Sequence, residues 1–401
     1  MKNSDRSSAL YFRDFRLFWF GQVISLSGTW MQSVAQGWLI YSLTKSPLYL
    51  GIVATASTLP ILLFTLIGGV LADRFRKRNL LILTQALSIV PALMLGMLTD
   101  LNIITVYQVI LLAAFLGTVN AFDIPARQSF LIEMVDKGHL LNAIALNSAA
   151  FNGARLIGPV IAGLAISYIG LPACFYLNAV SFVAVIIALS MIKARGEISV
   201  SSKGFFSDFS EGFDFIKAQR EIFYIIILIS TFSLFGIPFT SFMPVFAEEI
   251  FNKGAKGLGL LISATGLGAF SAALIIAIKG DIENKLRYMS VAGLCFSLSL
   301  FAVALSKTFW LSLILLVFTG WGIVSFLATA NSFIQLSTSD NLRGRIMGLY
   351  SLVFLGFTPI GNLLIGLLSD SIGTTNAIAA SSIICLAGAI MFSVRYLKDN
   401  K

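Results

Sequence analysis

The chain has 401 residues, 57% of them apolar and only 12% charged, with 33 glycines and a net charge of +9. Soluble domains carry about twice that charged fraction, so a water-soluble globule, a disordered chain and a collagen-like chain are all excluded. The solvent that remains is a lipid bilayer. Three cysteines, Cys174, Cys295 and Cys385, sit in apolar runs and supply neither a disulfide framework nor a zinc pattern.

In chain order, a polar and charged N-terminus precedes an uncharged run over 17–44. That run exceeds the apolar region of a cleaved signal and is expected to stay as a membrane helix. Within it Gln22, Ser25, Thr29, Gln32 and Gln36 recur at spacings of 3, 4, 3 and 4, which places them on one side of a helix. The stripe either lines a substrate cavity or bonds to neighbouring helices, each such bond contributing about 1 kcal/mol or less.

Further uncharged runs cover 46–72, 79–99 and 101–122, and FDIPARQSF at 122–130 is expected to follow helix 4. The stretch 140–192 holds one charge, Arg155, and is cut by Gly170-Leu171-Pro172, whose turn chemistry divides it into helices 5 and 6. Ser148, Asn152 and Arg155 share one face of helix 5. With each span ended at its nearest charge, Arg155 is the only charge inside a span and Asp123 falls at the cytoplasmic end of helix 4. An arginine in hydrocarbon costs several kcal/mol, so Arg155 is expected to face the bundle interior. Its partners are then carbonyls and amides that lock helices together, or an anionic ligand. Gly158, Pro159 and Gly163 permit a kink and close helix approach.

Residues 193–221 place Phe205, Phe206, Phe209, Phe213 and Ile216 at helical spacing among charges, the pattern of an amphipathic helix on the membrane surface. Six more uncharged runs follow at 222–247, 257–278, 288–306, 308–339, 346–369 and 371–394. Every run has at least 19 residues, enough to cross about 30 Å of hydrocarbon as a helix and far too long for strands. Twelve spans result. If the N-terminus is cytoplasmic, 23 of the 28 Lys and Arg fall on that side, which sets both termini inside a cell membrane. The charge is then a topology signal, with no nucleic-acid partner implied.

At a constant offset of 203, segment 129–170 matches 332–373 at twelve of 42 positions, including the pairs Gly158/Gly361, Gly163/Gly366 and Gly170/Gly373. Six helices separate the copies, so both face the same way. The predicted domains are a six-helix bundle at 1–192, a linker at 193–221 and a second bundle at 222–401. Such a parallel repeat is the architecture of major facilitator transporters, whose substrate site lies near the midplane.

The loop GGVLADRFRKRNL at 68–80 resembles the major facilitator signature of a helix-end glycine, then Asp-Arg and a basic cluster. Arg76 stands where the broad pattern has glycine, as in the drug-efflux and siderophore-export branch. Residues 11–32, FDIPARQSF, NGARLIGPVIAG at 152–163 and LRGRIMGLYS at 342–351 are similar to the same branch, so the likeness covers essentially the whole chain. The resemblance implies an all-α membrane protein of twelve helices in two pseudo-symmetric bundles. It also implies alternating access and export of an amphiphilic organic compound in exchange for protons.

The polar stripes of helices 1 and 5 make Gln22, Thr29, Gln32, Gln36, Asn152 and Arg155 the expected substrate face. The gating set is Gly69, Asp73, Arg74, Lys77, Asp123, Arg127, Arg343 and Arg345, and Gly158, Pro159 and Gly163 pack helices. Asp73, near the start of helix 11 and its Arg343 and Arg345, would gain up to about 2 kcal/mol as a latch formed in one conformation only. Alternatively, the basic cluster anchors topology and Asp73 balances it. The uncharged spans lack Asp, Glu and His, which leaves Asp14, Asp123, Glu248, Glu249 or Asp370 to carry a proton. No cofactor is expected, and the transporter is expected to be a monomer. No G-x-x-x-x-G-K-[ST] loop marks an ATP-driven pump and no titratable cluster marks an enzyme. A channel or a non-transporting receptor is the competing class.

Overall fold

Hydrocarbon cannot hydrogen-bond a backbone, so each span must satisfy its own amides, and this chain does so with helices. A computed structural model of the protein describes residues 8–194, 219–280 and 282–399. The predicted amphipathic helix of the linker lies outside the described residues, apart from the ends of its segment.

Among the described residues twelve long helical segments follow in order: α1 (Arg13–Thr44), α2 (Pro47–Arg74), α3 (Lys77–Asp100), α4 (Val106–Glu133), α5 (Leu140–Tyr168), α6 (Leu171–Met191), α7 (Arg220–Ile250), α8 (Gly254–Lys279), α9 (Lys285–Leu305), α10 (Phe309–Leu336), α11 (Asp340–Ile372) and α12 (Thr374–Asp399). Eleven are long and apolar enough to cross a membrane, and α1 has the length, its mean hydropathy being lowered by its polar stripe. Among the described residues the fold is all-α.

The chain forms two compact units, with boundaries inside helices. The first takes the residues up to Lys45, Ala56 through α6, and Lys253–Ser263; the second takes Ser46–Thr55, α7 to Asn252, and Ala264 onward. In the first, α1 packs on α5 and α6, and α3 packs on α4 and α6; in the second, α7 packs on α11 and α12, and α9 packs on α10 and α12. The pairings are those expected if α7–α12 repeat α1–α6. The repeat extends to the turns: Gly170 before α6 has φ +119° and Gly373 before α12 has φ +86°, values that only glycine adopts without strain.

Three expectations about the helices change. Spans were bounded at charges, yet α4 runs through Asp123 and Arg127 to Glu133, so FDIPARQSF is helical and Arg155 is not the only charge within a span. An acid and an arginine four residues apart neutralise one another on one helix face, which permits the helix to continue. Likewise α11 opens at Asp340, so Arg343 and Arg345 lie in its first turns instead of the preceding loop. Third, α7 is not a uniform helix: π turns at Phe232–Gly236 and Phe246–Ile250 flank a 3-10 stretch at Ile237–Phe242. Pro238 and Pro244 lack the amide that a regular helix would use there.

Candidate functional site

The first unit contains a buried polar network joining α1, α3 and α4. Asp123 is only 6% exposed. Its Oδ2 accepts from Arg127 Nε at 2.7 Å and lies 2.7 Å from Arg127 Nη2. Its Oδ1 accepts from Thr84 Oγ1 at 2.7 Å and from Gln85 Nε2 at 2.9 Å. Arg127 Nη1 donates onward to Gln22 Oε1 on α1. The carboxylate is therefore saturated and the arginine is paired, which is the arrangement a charge needs at low dielectric. Gln22, assigned to the substrate face, and Asp123 and Arg127, assigned to gating, form one cluster.

Deeper along α1 a second internal contact runs to α6. Asn178 Nδ2 donates to Gln32 Oε1 at 2.7 Å, and Ser181 Oγ donates to the Asn178 carbonyl at 2.7 Å. Thr29 Oγ1 donates back to the Ser25 carbonyl of its own helix at 2.9 Å, and Gln36 is buried. Bonding between helices thus engages the Oε1 of both Gln22 and Gln32, while Gln32 Nε2 is buried without a partner among the described residues.

On α5, Asn152 Nδ2 donates to the Ser148 carbonyl at 2.9 Å. Arg155 is half-buried, with its guanidinium carbon 5.5 Å from the centre of the Trp30 ring, a cation–π distance. Trp30 in turn meets Phe151 edge to face at 5.9 Å. Gly158 admits this arrangement, since a Cβ there would stand 2.7 Å from Trp30 Cβ and 2.8 Å from the Ser27 carbonyl. One turn on, Pro159 and Gly163 meet the first turns of α8: a Cβ on Gly259 would lie 2.4 Å from the Pro159 carbonyl, and one on Gly163 2.9 Å from the Ala255 carbonyl.

The signature loop divides among several local tasks. Lys77, 5% exposed, pairs with Glu133 at 2.6 Å, so α3 starts against the end of α4. Arg74 is exposed. Asp73 is half-buried and forms no hydrogen bond or ion pair among the described residues. Gly69 has open space around it, whereas a Cβ on the neighbouring Gly68 would lie 2.2 Å from the Ala121 carbonyl of α4. In the second unit Arg343 donates to the Gln335 carbonyl at 3.1 Å, capping the end of α10, and Arg345 lies two residues further along α11.

Sequence reasoning missed Thr84, Gln85, Asn178, Glu133 and Gly68. Their partners lie tens of residues away. Only the Asp123/Arg127 spacing was a local signal. Among the described residues no cluster of His, Cys, Asp and Glu is arranged to hold a metal ion.

Twelve long helices among the described residues, eleven of them apolar enough to cross a membrane, and a buried ion pair invite comparison with known carriers. Residues 7–401 match the transmembrane secretion effector family of the major facilitator superfamily. The chain belongs to that family. It is 25% identical over 396 residues to the staphyloferrin A transporter of Staphylococcus aureus, covering 96% of this chain and 97% of that one. It is also 25% identical over 395 residues to the multidrug efflux pump Tap of Mycolicibacterium fortuitum, covering 96% of each. Macrolide efflux protein A of Streptococcus pyogenes is 18% identical over 380 residues, covering 93% of this chain and 94% of that one. Among solved structures, a bacterial homologue of the human lysosomal transporter Spinster superposes with a TM-score of 0.75 at 14% identity, covering 97% of this chain and 98% of that chain. A POT-family transporter gives 0.77 at 13%, covering 97% of each. These likenesses show the fold. The protein is a multi-pass membrane transporter and not an enzyme.

Proposed function

We propose that this transporter exports an amphiphilic organic compound by alternating access, coupled to proton entry through Asp123. The names of the relatives, which move siderophores, drugs and macrolides, support the substrate class. The observation that carries the coupling is the carboxylate of Asp123, buried within the α4 span and held by Arg127, Thr84 and Gln85.

A proton on Asp123 would cancel the negative member of the pair. Arg127 would then lose its charge partner, and the contact with Gln22 on α1 would be the bond left to hold it. A single protonation thus alters contacts among α1, α3 and α4 together, which is the differential interaction that a conformational switch needs. Asp73, with no partner of its own among the described residues, is proposed as a latch toward the N-terminus of α11 in part of the cycle. Both termini are proposed to be cytoplasmic on the distribution of Lys and Arg.

The test uses proteoliposomes loaded with a pH-reporting dye. Wild-type protein is expected to admit protons when substrate is supplied on the opposite side. Asp123→Asn is expected to abolish that proton movement while substrate counterflow persists. Proton movement that survives in Asp123→Asn contradicts the assignment.

A further inference from the structure

Two arginines, Arg127 and Arg155, lie more than a turn from either end of their helices in the first unit, and the chain treats them differently. Arg127 has a carboxylate, bound through two of its nitrogens, and an amide oxygen. Arg155 forms no hydrogen bond and no ion pair among the described residues. It lies fifteen residues into the 29-residue α5, about 22 Å from the start of a helix that is about 43 Å long, hence near the middle of a candidate membrane span.

The surroundings of Arg155 indicate what it faces. Exposed Ile157, Ile161, Leu164 and Tyr168 cluster within a 60° arc on the side of α5 turned roughly 180–240° from Arg155, at 100° per residue. That apolar arc suits lipid tails. Ser148 and Phe151, both exposed, fall within about 40° of Arg155 instead. Beyond Arg155 the same face is closed, since Pro159 and Ala162, within about 40° of it, are buried. The half-buried cation therefore stands where the exposed part of this face ends, with the Trp30 ring beside it and Phe151 against Trp30. A guanidinium acting only to lock helices would place its donors on carbonyls. This one keeps five N–H donors uncommitted where each unmet donor is costly.

We infer that Arg155, with Trp30 and Phe151, is a subsite for the oxyanion of an organic anion, whose apolar or aromatic body lies along the two rings. The inference rests on the transport reading above and narrows its substrate class to amphiphiles bearing a carboxylate or a like oxyanion. Guanidinium–oxyanion pairing is directional and strong out of water, and the ring faces supply apolar area beside it.

A matched fluorescent series tests this: pyrenebutyrate, pyrenebutanol and pyrenebutyltrimethylammonium share one ring system and differ in charge. Binding to the full chain in zwitterionic nanodiscs is read by energy transfer from tryptophan, with empty nanodiscs as the blank. Wild type is expected to bind the anion about tenfold or more tightly than the alcohol, as a charge-assisted contact implies. Arg155→Gln is expected to erase that preference while the alcohol's affinity and the thermal midpoint stay the same. Arg155→Lys is expected to retain part of it.

Equal affinity for all three probes in wild type overturns the inference. So does an Arg155→Gln variant that weakens all three alike with a lowered thermal midpoint, since that marks a helix lock. Displacement of pyrenebutyrate by anionic lipid added to the nanodiscs, to the extent that Arg155→Gln reduces it, assigns the site to a lipid phosphate and also overturns it. Counterflow of the neutral or cationic probe without anion preference would sink the inference and leave the transport reading standing; absence of flux for all three would count against transport itself.

Discussion

Arg127 and Glu133 show how single side chains hold the C-terminal part of α4 in place. Removing the carboxylate of Asp123 leaves Arg127 buried without its charge, so Asp123→Ala is expected to be destabilising by about 3 kcal/mol or more. The isosteric Asp123→Asn, which still accepts from Thr84 and Gln85, is expected to cost less. Denaturation in mild detergent against added SDS would rank the two, and equal loss would contradict the network. The Lys77–Glu133 pair is partly exposed on its acidic side, at 24%, so its coupling should be smaller. A double-mutant cycle of Lys77→Met and Glu133→Gln is expected to give a coupling of about 1 kcal/mol; additive losses would show the pair to be incidental. Charge-bounded spans could not reveal these pairings. Asp123 and Arg127 were visible as an i,i+4 pair, but Thr84 and Gln85 come from another helix, and nothing local in the chain joins them.

Helix contacts in this protein depend on positions where a side chain would not fit. Gly158 lies against Trp30 and the Ser27 carbonyl, so Gly158→Val is expected to push α1 and α5 apart, cost about 1–3 kcal/mol, and disturb the Trp30–Arg155 stack. A lowered thermal midpoint with altered tryptophan emission would show it, and an unchanged midpoint would argue against close packing. At the turns, Gly170→Ala and Gly373→Ala are each expected to lose about 1–3 kcal/mol from strain at positive φ. The α5/α6 break was legible because Gly-Leu-Pro punctuates, at the right place, a 53-residue stretch that holds a single charge. The distortions of α7 were not, although Pro238 and Pro244 mark them, because hydropathy and charge do not report which carbonyl an amide reaches.

Across the whole chain, twelve helices, the repeat at an offset of 203 and the signature loop are legible in the sequence, since each is a property of long windows. The polar stripe of α1 was readable too, but its two uses were not separable: Gln22 and Gln32 bond to neighbouring helices, and only a structure shows which polar groups are already engaged. Among the described residues Arg155, beside Trp30, forms no hydrogen bond or ion pair. The transport account is tested most directly by counterflow in proteoliposomes, using a panel of dyes, macrolides and siderophores as the loaded species. It predicts saturable uptake of labelled compound that accelerates when unlabelled compound is loaded on the far side. Flux that never saturates and ignores the opposite compartment, or no protein-dependent flux for any member of the panel, would contradict it.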